Sequence, residues 1–182
     1  KTDERSLPFS SALALHCFVN EYIFQETKEE TSAVEQLQQQ ITTLVEKERD
    51  IPSSLVATLG AYRPLYDFPW AQELCEGDWS ENIKEVIARQ ISEPQEEQSL
   101  RSQIPQLTPI QNTVSQSVRE QYEENPFPRW IKTGLAVKAK PIGVILQGAP
   151  LRLDLGDYAS PESPEILVAG CGTGQHALST AS

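Results

Sequence analysis

Residues 166–174 read ILVAGCGTG, and this stretch decides the fold predicted for the C-terminal part of the chain. Its four leading apolar residues are typical of a buried parallel strand, and three glycines spaced two apart then indicate a tight turn. Glycine reaches left-handed backbone angles at little cost and leaves room for a ligand against the backbone. A segment compatible with a helix, 175–181, follows, and a helix N-terminus attracts an anionic or polar ligand. The pattern therefore predicts a strand, a turn and a helix around a nucleotide-type binding site.

Three known glycine motifs compete for this turn. A dinucleotide fingerprint, G-x-G-x-x-G/A, fails when it starts at Gly170, because its last position falls on Gln175. The same fingerprint fits when it starts at Gly172, because it then ends at Ala177, which is a permitted variant. A phosphate loop needs a Gly-Lys-Ser/Thr ending, which this turn lacks. The G-x-G-x-G turn of class I methyltransferases suits 166–174 best.

Two segments of the chain resemble the S-adenosylmethionine-dependent methyltransferases of class I. The stretch ILVAGCGTGQ is similar to their motif I. The stretch VREQYEENPFPRW, at 118–130, is similar to the segment just upstream of this domain in bacterial members that often carry tetratricopeptide repeats. The resemblance implies the start of a Rossmann-like α/β domain. It also implies that the amino-acid end of S-adenosylmethionine lies against the turn, whose residues are Gly170, Cys171, Gly172, Thr173 and Gly174.

The resemblance also draws attention to three residues upstream of motif I. In this family a helix at that place often approaches the cofactor or substrate cleft, so Tyr122, Arg129 and Trp130 are candidates for contact with it. The alternative interpretation is structural, with Tyr122 completing an apolar helix face with Val114 and Val118. In that interpretation Trp130 packs beneath the proline-rich turn, and we favour it for this chain on its own.

Motif I stands close to the end of the sequence, with eight residues after Gly174. By analogy with dinucleotide sites, an acid that binds the ribose hydroxyls is expected about 20 residues beyond the turn. We therefore expect the chain to be the N-terminal part of a longer methyltransferase, truncated just after motif I. No catalytic residue is assigned, and we expect this part alone to be inactive and to bind the cofactor weakly or not at all. Many members also carry an acid where this chain has Val168.

Upstream of motif I the sequence predicts helices. Apolar residues occur almost all round the helical wheel over 9–24, which is typical of a central helix, and a one-sided stripe over 34–45 indicates a surface helix. A short helix is expected to close at Gly60, and a new helix to begin at Ser92 as N-cap.

The predicted fold class is therefore mainly α. It consists of an all-helical N-terminal domain over 1–130, followed over 131–182 by a linker and the incomplete start of the α/β domain. The boundary is expected between Trp130 and Leu151, because glycines and β-branched residues become frequent there.

Composition limits the partners. The net charge is −11, and residues 1–130 hold 11 Lys and Arg against 22 Asp and Glu, so nucleic acid is not expected. No apolar stretch is long enough for a bilayer, so no membrane contact is expected. Three widely spaced cysteines argue against a disulfide framework, and neither histidine has zinc-site spacing, so we expect a cytoplasmic protein without a metal.

Two other functions stay open at this point. The helical region could be a protein-interaction module that uses apolar anchors such as Trp70 and Trp79. The glycine turn could belong to an NAD(P)-dependent Rossmann enzyme that uses Gly172, Gly174 and Ala177. An exposed strand at 166–169 would also invite self-association, because an unpaired strand is an open sheet edge.

Overall fold

The computed structural model describes residues 4–105, 109–124, 129–130, 134–135, 138–157, 159, 161, 163–170 and 172–181. Over these residues the chain is mainly α-helical, as the sequence predicts. The α-helices are α1 (Leu7–Val19), α2 (Lys28–Glu46), α3 (Ser53–Gly60), α4 (Ala71–Cys75), α5 (Glu81–Ile87), α6 (Glu93–Arg101), α7 (Thr113–Glu124), α8 (Ile142–Gln147) and α9 (Gln175–Ala181). Short 3-10 turns lie at Glu4–Ser6 and Leu65–Asp67, and a π-helical turn at Ala88–Ser92 joins α5 to α6.

The chain divides into two compact units, Lys1–Glu120 and Gln121–Ser182. Helix α7 crosses this division, whereas the sequence places the domain boundary after its end. The two-domain organisation with a boundary at residue 130 stays a prediction.

The core of the first unit lies where α1, α3 and α5 meet. Burying a large aliphatic side chain stabilises a fold by about 1.5–3 kcal/mol, so these helices hold the unit together. Helix α2 adds Val34 and Ile41 from its apolar stripe, which confirms the surface helix predicted at 34–45. The fully buried aliphatic side chains include Ile41, Val56, Leu59, Leu65, Leu74, Ile83, Val86 and Ile91.

A buried glutamine ties three parts of this core together. Gln90 is 0% exposed, and its Nε2 donates to the carbonyl oxygens of Ala14 at 3.1 Å and Gly60 at 2.9 Å. Its Oε1 accepts from the backbone N–H of Leu65 at 3.2 Å. The Tyr22 hydroxyl also donates to the Gly60 carbonyl oxygen, at 3.1 Å, and burial raises the pKa of Tyr22, so it stays protonated. Each buried polar atom in this cluster is paired, as stability requires.

Hydrogen bonds and an ion pair join the start of α2 to the segment after α3. Thr27 and Glu30 form a capping box, with Glu30 N donating to Thr27 Oγ1 at 3.1 Å and Thr27 N donating to Glu30 Oε2 at 2.8 Å. The Tyr62 hydroxyl donates to Glu30 Oε1 at 3.2 Å. The Arg63 guanidinium donates to both carboxylate oxygens of Glu26, and these hydrogen bonds hold the pKa of Glu26 below its ordinary value.

The first helix is shorter than its apolar pattern predicts. It ends at Val19 instead of continuing to Phe24. Asn20 is the C-cap residue, and its side-chain Nδ2 donates to the His16 carbonyl oxygen at 2.8 Å. Glu21 and Tyr22 then adopt positive φ angles of 52°, which no α-helix contains.

The sequence predicts a new helix that begins after Ser92, and α6 does begin at Glu93, but the prediction that Ser92 caps it is wrong. Ser92 has helical angles, φ −67° and ψ −46°, and its side chain makes no capping hydrogen bond. The helix runs on through the π turn, in which the Glu93 N–H bonds the Ala88 carbonyl five residues back. This wider turn accommodates Pro94, which has no N–H to give to an α-helical ladder.

The strand predicted at 166–169 is also wrong, since these residues form no strand, and neither does any other described part of the chain. A strand is defined by hydrogen bonds to a neighbouring strand, and the described residues supply no such neighbour. Self-association through an exposed C-terminal strand therefore has no basis in this structure. Instead the described residues of the second unit include two short helices, α8 and α9, and none of these residues is buried.

Candidate functional site: the glycine turn and Trp130

The glycine turn adopts the left-handed backbone that its sequence predicts. Gly170, Gly172 and Gly174 have φ angles of +68°, +54° and +86°. Each would cost an L-residue with a side chain about 1–2 kcal/mol, so the predicted need for glycine is confirmed. Cys171, the fourth predicted turn residue, lies outside the described residues.

The space over the three glycines is open. Within the described part of the chain, a Cβ atom built on Gly170, Gly172 or Gly174 would meet no heavy atom within 4 Å. The glycines are therefore required by backbone conformation and not by crowding from the described residues. An open backbone of this kind can accept a ligand that lies flat against it. That a ligand does so stays a prediction.

A helix begins directly after the turn. Helix α9 occupies Gln175–Ala181, the segment for which the sequence predicts a helix, and its first bond runs from Leu178 N to the Gly174 carbonyl at 3.0 Å. With seven residues α9 has about two turns, so its dipole is small, and the shape of the turn is the main feature of the site.

Trp130 contacts the turn through its indole N–H. Nε1 donates to the carbonyl oxygen of Thr173 at 3.3 Å and to the Thr173 hydroxyl oxygen at 3.2 Å. Both residues are half-buried, and 43 residues separate them in the sequence. The structure thus brings together one residue from each of the two segments that carry the methyltransferase resemblance.

The other two upstream candidates differ from Trp130 in their surroundings. Tyr122 lies in α7 with 66% of its surface exposed, and Val114 and Val118 beside it on the apolar face are 70% and 45% exposed. The apolar residues predicted for one face of α7 therefore lie in a helix, and all three side chains are exposed. Arg129 is half-buried. Contact of Tyr122 or Arg129 with a cofactor cleft stays a prediction.

The two tryptophans suggested as apolar anchors for a partner belong to the folded helical unit. Trp70 is 4% exposed, stacks on Phe68 with ring centroids 4.7 Å apart, and donates to Thr42 Oγ1 at 2.9 Å. Trp79 is half-buried and donates to the Leu74 carbonyl at 2.6 Å. Trp70 in particular is a core residue, and the prediction that it anchors a partner is wrong.

Sequence reasoning named Trp130 and Thr173 separately but missed their pairing. The available signal was chemical, because a tryptophan that is largely covered generally needs an acceptor for its N–H. The described residues contain no group of three or more His, Cys, Asp or Glu side chains placed to hold a metal ion. No helix among them is long and apolar enough to span a membrane.

The chain was compared with protein-family models, with curated proteins and with solved structures. No protein-family model, curated protein or solved structure matches the chain. The interpretation of the site therefore depends on its own geometry and on the two sequence segments.

Proposed function

We propose that this chain is the N-terminal part of an S-adenosylmethionine-dependent methyltransferase and contributes its cofactor-binding turn. The observation that carries the proposal is the backbone of 170–174. Three left-handed glycines in the spacing G-x-G-x-G lie under open space and lead directly into a helix. In the proposed enzyme this turn belongs to a Rossmann-like domain and supports the amino-acid end of the cofactor.

The chemistry follows from what the turn offers. S-adenosylmethionine supplies a sulfonium methyl group, and transfer depends mainly on holding an acceptor in line with it. In the proposal the turn binds and orients the cofactor, and an acid about 20 residues beyond the turn binds the ribose hydroxyls, as in dinucleotide sites. We also propose that the protein is cytoplasmic. Cys17 and Cys75 are free cysteines, and reduced thiols are typical of that compartment.

Calorimetric titration with S-adenosylhomocysteine tests the proposal. It is done with the 182-residue chain and with one that continues the natural reading frame by about 120 residues, enough for a Rossmann-sized domain. We expect binding to the longer form and weak or no binding to the shorter one. NAD⁺ and NADP⁺ are titrated in parallel, and binding of either in place of S-adenosylhomocysteine would favour the dehydrogenase alternative.

A matched pair of glycine substitutions locates the ligand. Gly172→Ala introduces a side chain at φ +54°, and Gly156→Ala introduces the same strain at φ +52°, also under open space but outside the turn. A strain of 1–2 kcal/mol changes an equilibrium about 5- to 30-fold, so Gly172→Ala should weaken binding by about that factor. Gly156→Ala should leave affinity unchanged. Equal effects of both substitutions, or no binding by either form of the protein, would contradict the proposal and favour the interaction-module alternative.

A further inference from the structure

Thr173 lies in the turn between two glycines, which have the greatest backbone freedom. These are Gly172 and Gly174. Both glycines have positive φ, and among the described residues no atom lies within 4 Å of where their Cβ would be. Glycine has more backbone freedom than any other residue, so such a turn by itself can adopt many conformations. A site that spends only a fraction of its time in the binding conformation has its affinity reduced by that fraction.

Trp130 restrains this point from a distant part of the chain. Its Nε1–H donates to two oxygens of one residue, the carbonyl and the hydroxyl of Thr173, at 3.3 and 3.2 Å. The carbonyl contact limits rotation of the peptide that joins Thr173 to Gly174. The hydroxyl contact selects the χ1 rotamer of Thr173. One indole therefore fixes both the backbone and the side chain between the two glycines.

The chemistry of the pair also sets the direction of the hydrogen bond. An indole N–H can only donate, so the Thr173 hydroxyl accepts from Trp130. The single hydrogen of that hydroxyl then remains available for an acceptor. A ligand group placed next to Thr173 would accordingly be met by a donor.

We propose that Trp130 is a positioning residue of the cofactor site, which holds Thr173 and the glycines beside it in the conformation that binds the cofactor. The inference rests on the proposed function. In this role Trp130 acts through Thr173. Its contribution is to limit, before the ligand arrives, the conformational freedom that binding would otherwise have to remove.

The chain offers a chemically matched control in its helical unit. There Trp70 makes the same kind of bond, from indole Nε1 to the hydroxyl oxygen of Thr42, at 2.9 Å. Trp70→Phe and Trp130→Phe each remove one indole N–H and keep an aromatic ring. If tryptophan–threonine bonds served only stability, the two substitutions would have the same kind of effect.

The first measurement is ¹H–¹⁵N NMR of the tryptophan indoles in the 182-residue chain, which has three tryptophans. Trp→Phe variants assign the resonances. Thr173→Val removes one acceptor and should shift the Trp130 indole signal, while Thr173→Ser should restore it. Thr42→Val should shift only the Trp70 signal. A Trp130 indole that does not respond to Thr173→Val would overturn the inference.

The second measurement is S-adenosylhomocysteine affinity in whichever form of the protein binds it. Loss of one net hydrogen bond should weaken binding about three- to tenfold in Trp130→Phe and in Thr173→Val. Thr173→Ser should bind like the unsubstituted protein. Trp70→Phe should lower the melting temperature and leave affinity unchanged.

The affinity measurements distinguish a failure of the Trp130 inference from a failure of the proposed function. If the unsubstituted protein binds S-adenosylhomocysteine and Trp130→Phe binds equally well, the inference about Trp130 is wrong and the proposed function stands. If neither form of the protein binds it, the proposed function fails, and the inference fails with it.

Discussion

Replacing Gln90 with leucine should destabilise the helical unit by about 2–4 kcal/mol, because leucine fills the space but makes none of the hydrogen bonds. The Leu65 N–H would lose the acceptor that it has at 3.2 Å inside the core. An orphaned buried donor costs about 1–3 kcal/mol. The carbonyls of Ala14 and Gly60 would each lose one donor as well, at 3.1 and 2.9 Å, which accounts for the remainder.

Urea unfolding of the full chain, followed by far-ultraviolet circular dichroism, measures this cost. The midpoint should fall while the slope with denaturant stays unchanged, since the surface exposed on unfolding is the same. Gln40→Leu, on the exposed face of α2, is the matched control and should change stability by no more than about 0.5 kcal/mol. A loss below about 1 kcal/mol for Gln90→Leu would refute the reasoning that an unpaired core donor dominates.

A double-mutant cycle tests the shared acceptor. The Tyr22 hydroxyl and Gln90 Nε2 both donate to the Gly60 carbonyl, so either single change leaves that oxygen one partner. Tyr22→Phe combined with Gln90→Leu leaves it none of these side-chain donors. The double variant should therefore lose about 0.5–2 kcal/mol more than the sum of the single variants. Simple additivity would show that the shared carbonyl carries no coupling.

Three further predictions concern stability. Glu48→Gly should stabilise the chain by about 0.5–1 kcal/mol in urea unfolding, because Glu48 has a φ of +48° after the end of α2; a loss of stability would contradict this. Gly77→Ala should cost about 1–3 kcal/mol and change the near-ultraviolet dichroism, because a Cβ there would lie 2.7 Å from Trp79 Cε2. Stability should fall as pH drops below 4.5 through the lowered pKa of Glu26, because protonation breaks its pairing with Arg63. In a pH series of unfolding curves Glu26→Gln should flatten this decline, and an unchanged slope would show that other carboxylates cause it.

Some features of the candidate site could be predicted from the sequence and others could not. The left-handed glycines and the helix after them follow from local chemistry, because only glycine adopts positive φ cheaply and the residues after Gly174 suit a helix. The pairing of Trp130 with Thr173 could not be predicted, because it joins atoms 43 residues apart. Sequence spacing holds no information about which acceptor a distant indole finds.

The helical unit shows where local patterns fail. At Ser92 a capping residue, a proline and a following glutamine predict a capped helix start. Helix α6 does begin at Glu93, but Ser92 forms no cap and a π turn precedes it. Packing decides this case, because Gln90 and Ile91 in that turn are fully buried and hold it against the core. The spacing of residues along the sequence does not show that Gln90 and Ile91 are buried against the core.

What the sequence alone determined is the structure whose causes lie within one or two turns of the chain. The apolar stripe of α2 and the left-handed glycines of 170–174 are of this kind. Only the tertiary structure decided the burial of Gln90 and the contact of Trp130 with Thr173. It also decided that 166–169 forms no strand, because a strand depends on hydrogen bonds to a second backbone segment. The physical reason is common to all three, since each depends on partners that lie far away in the sequence.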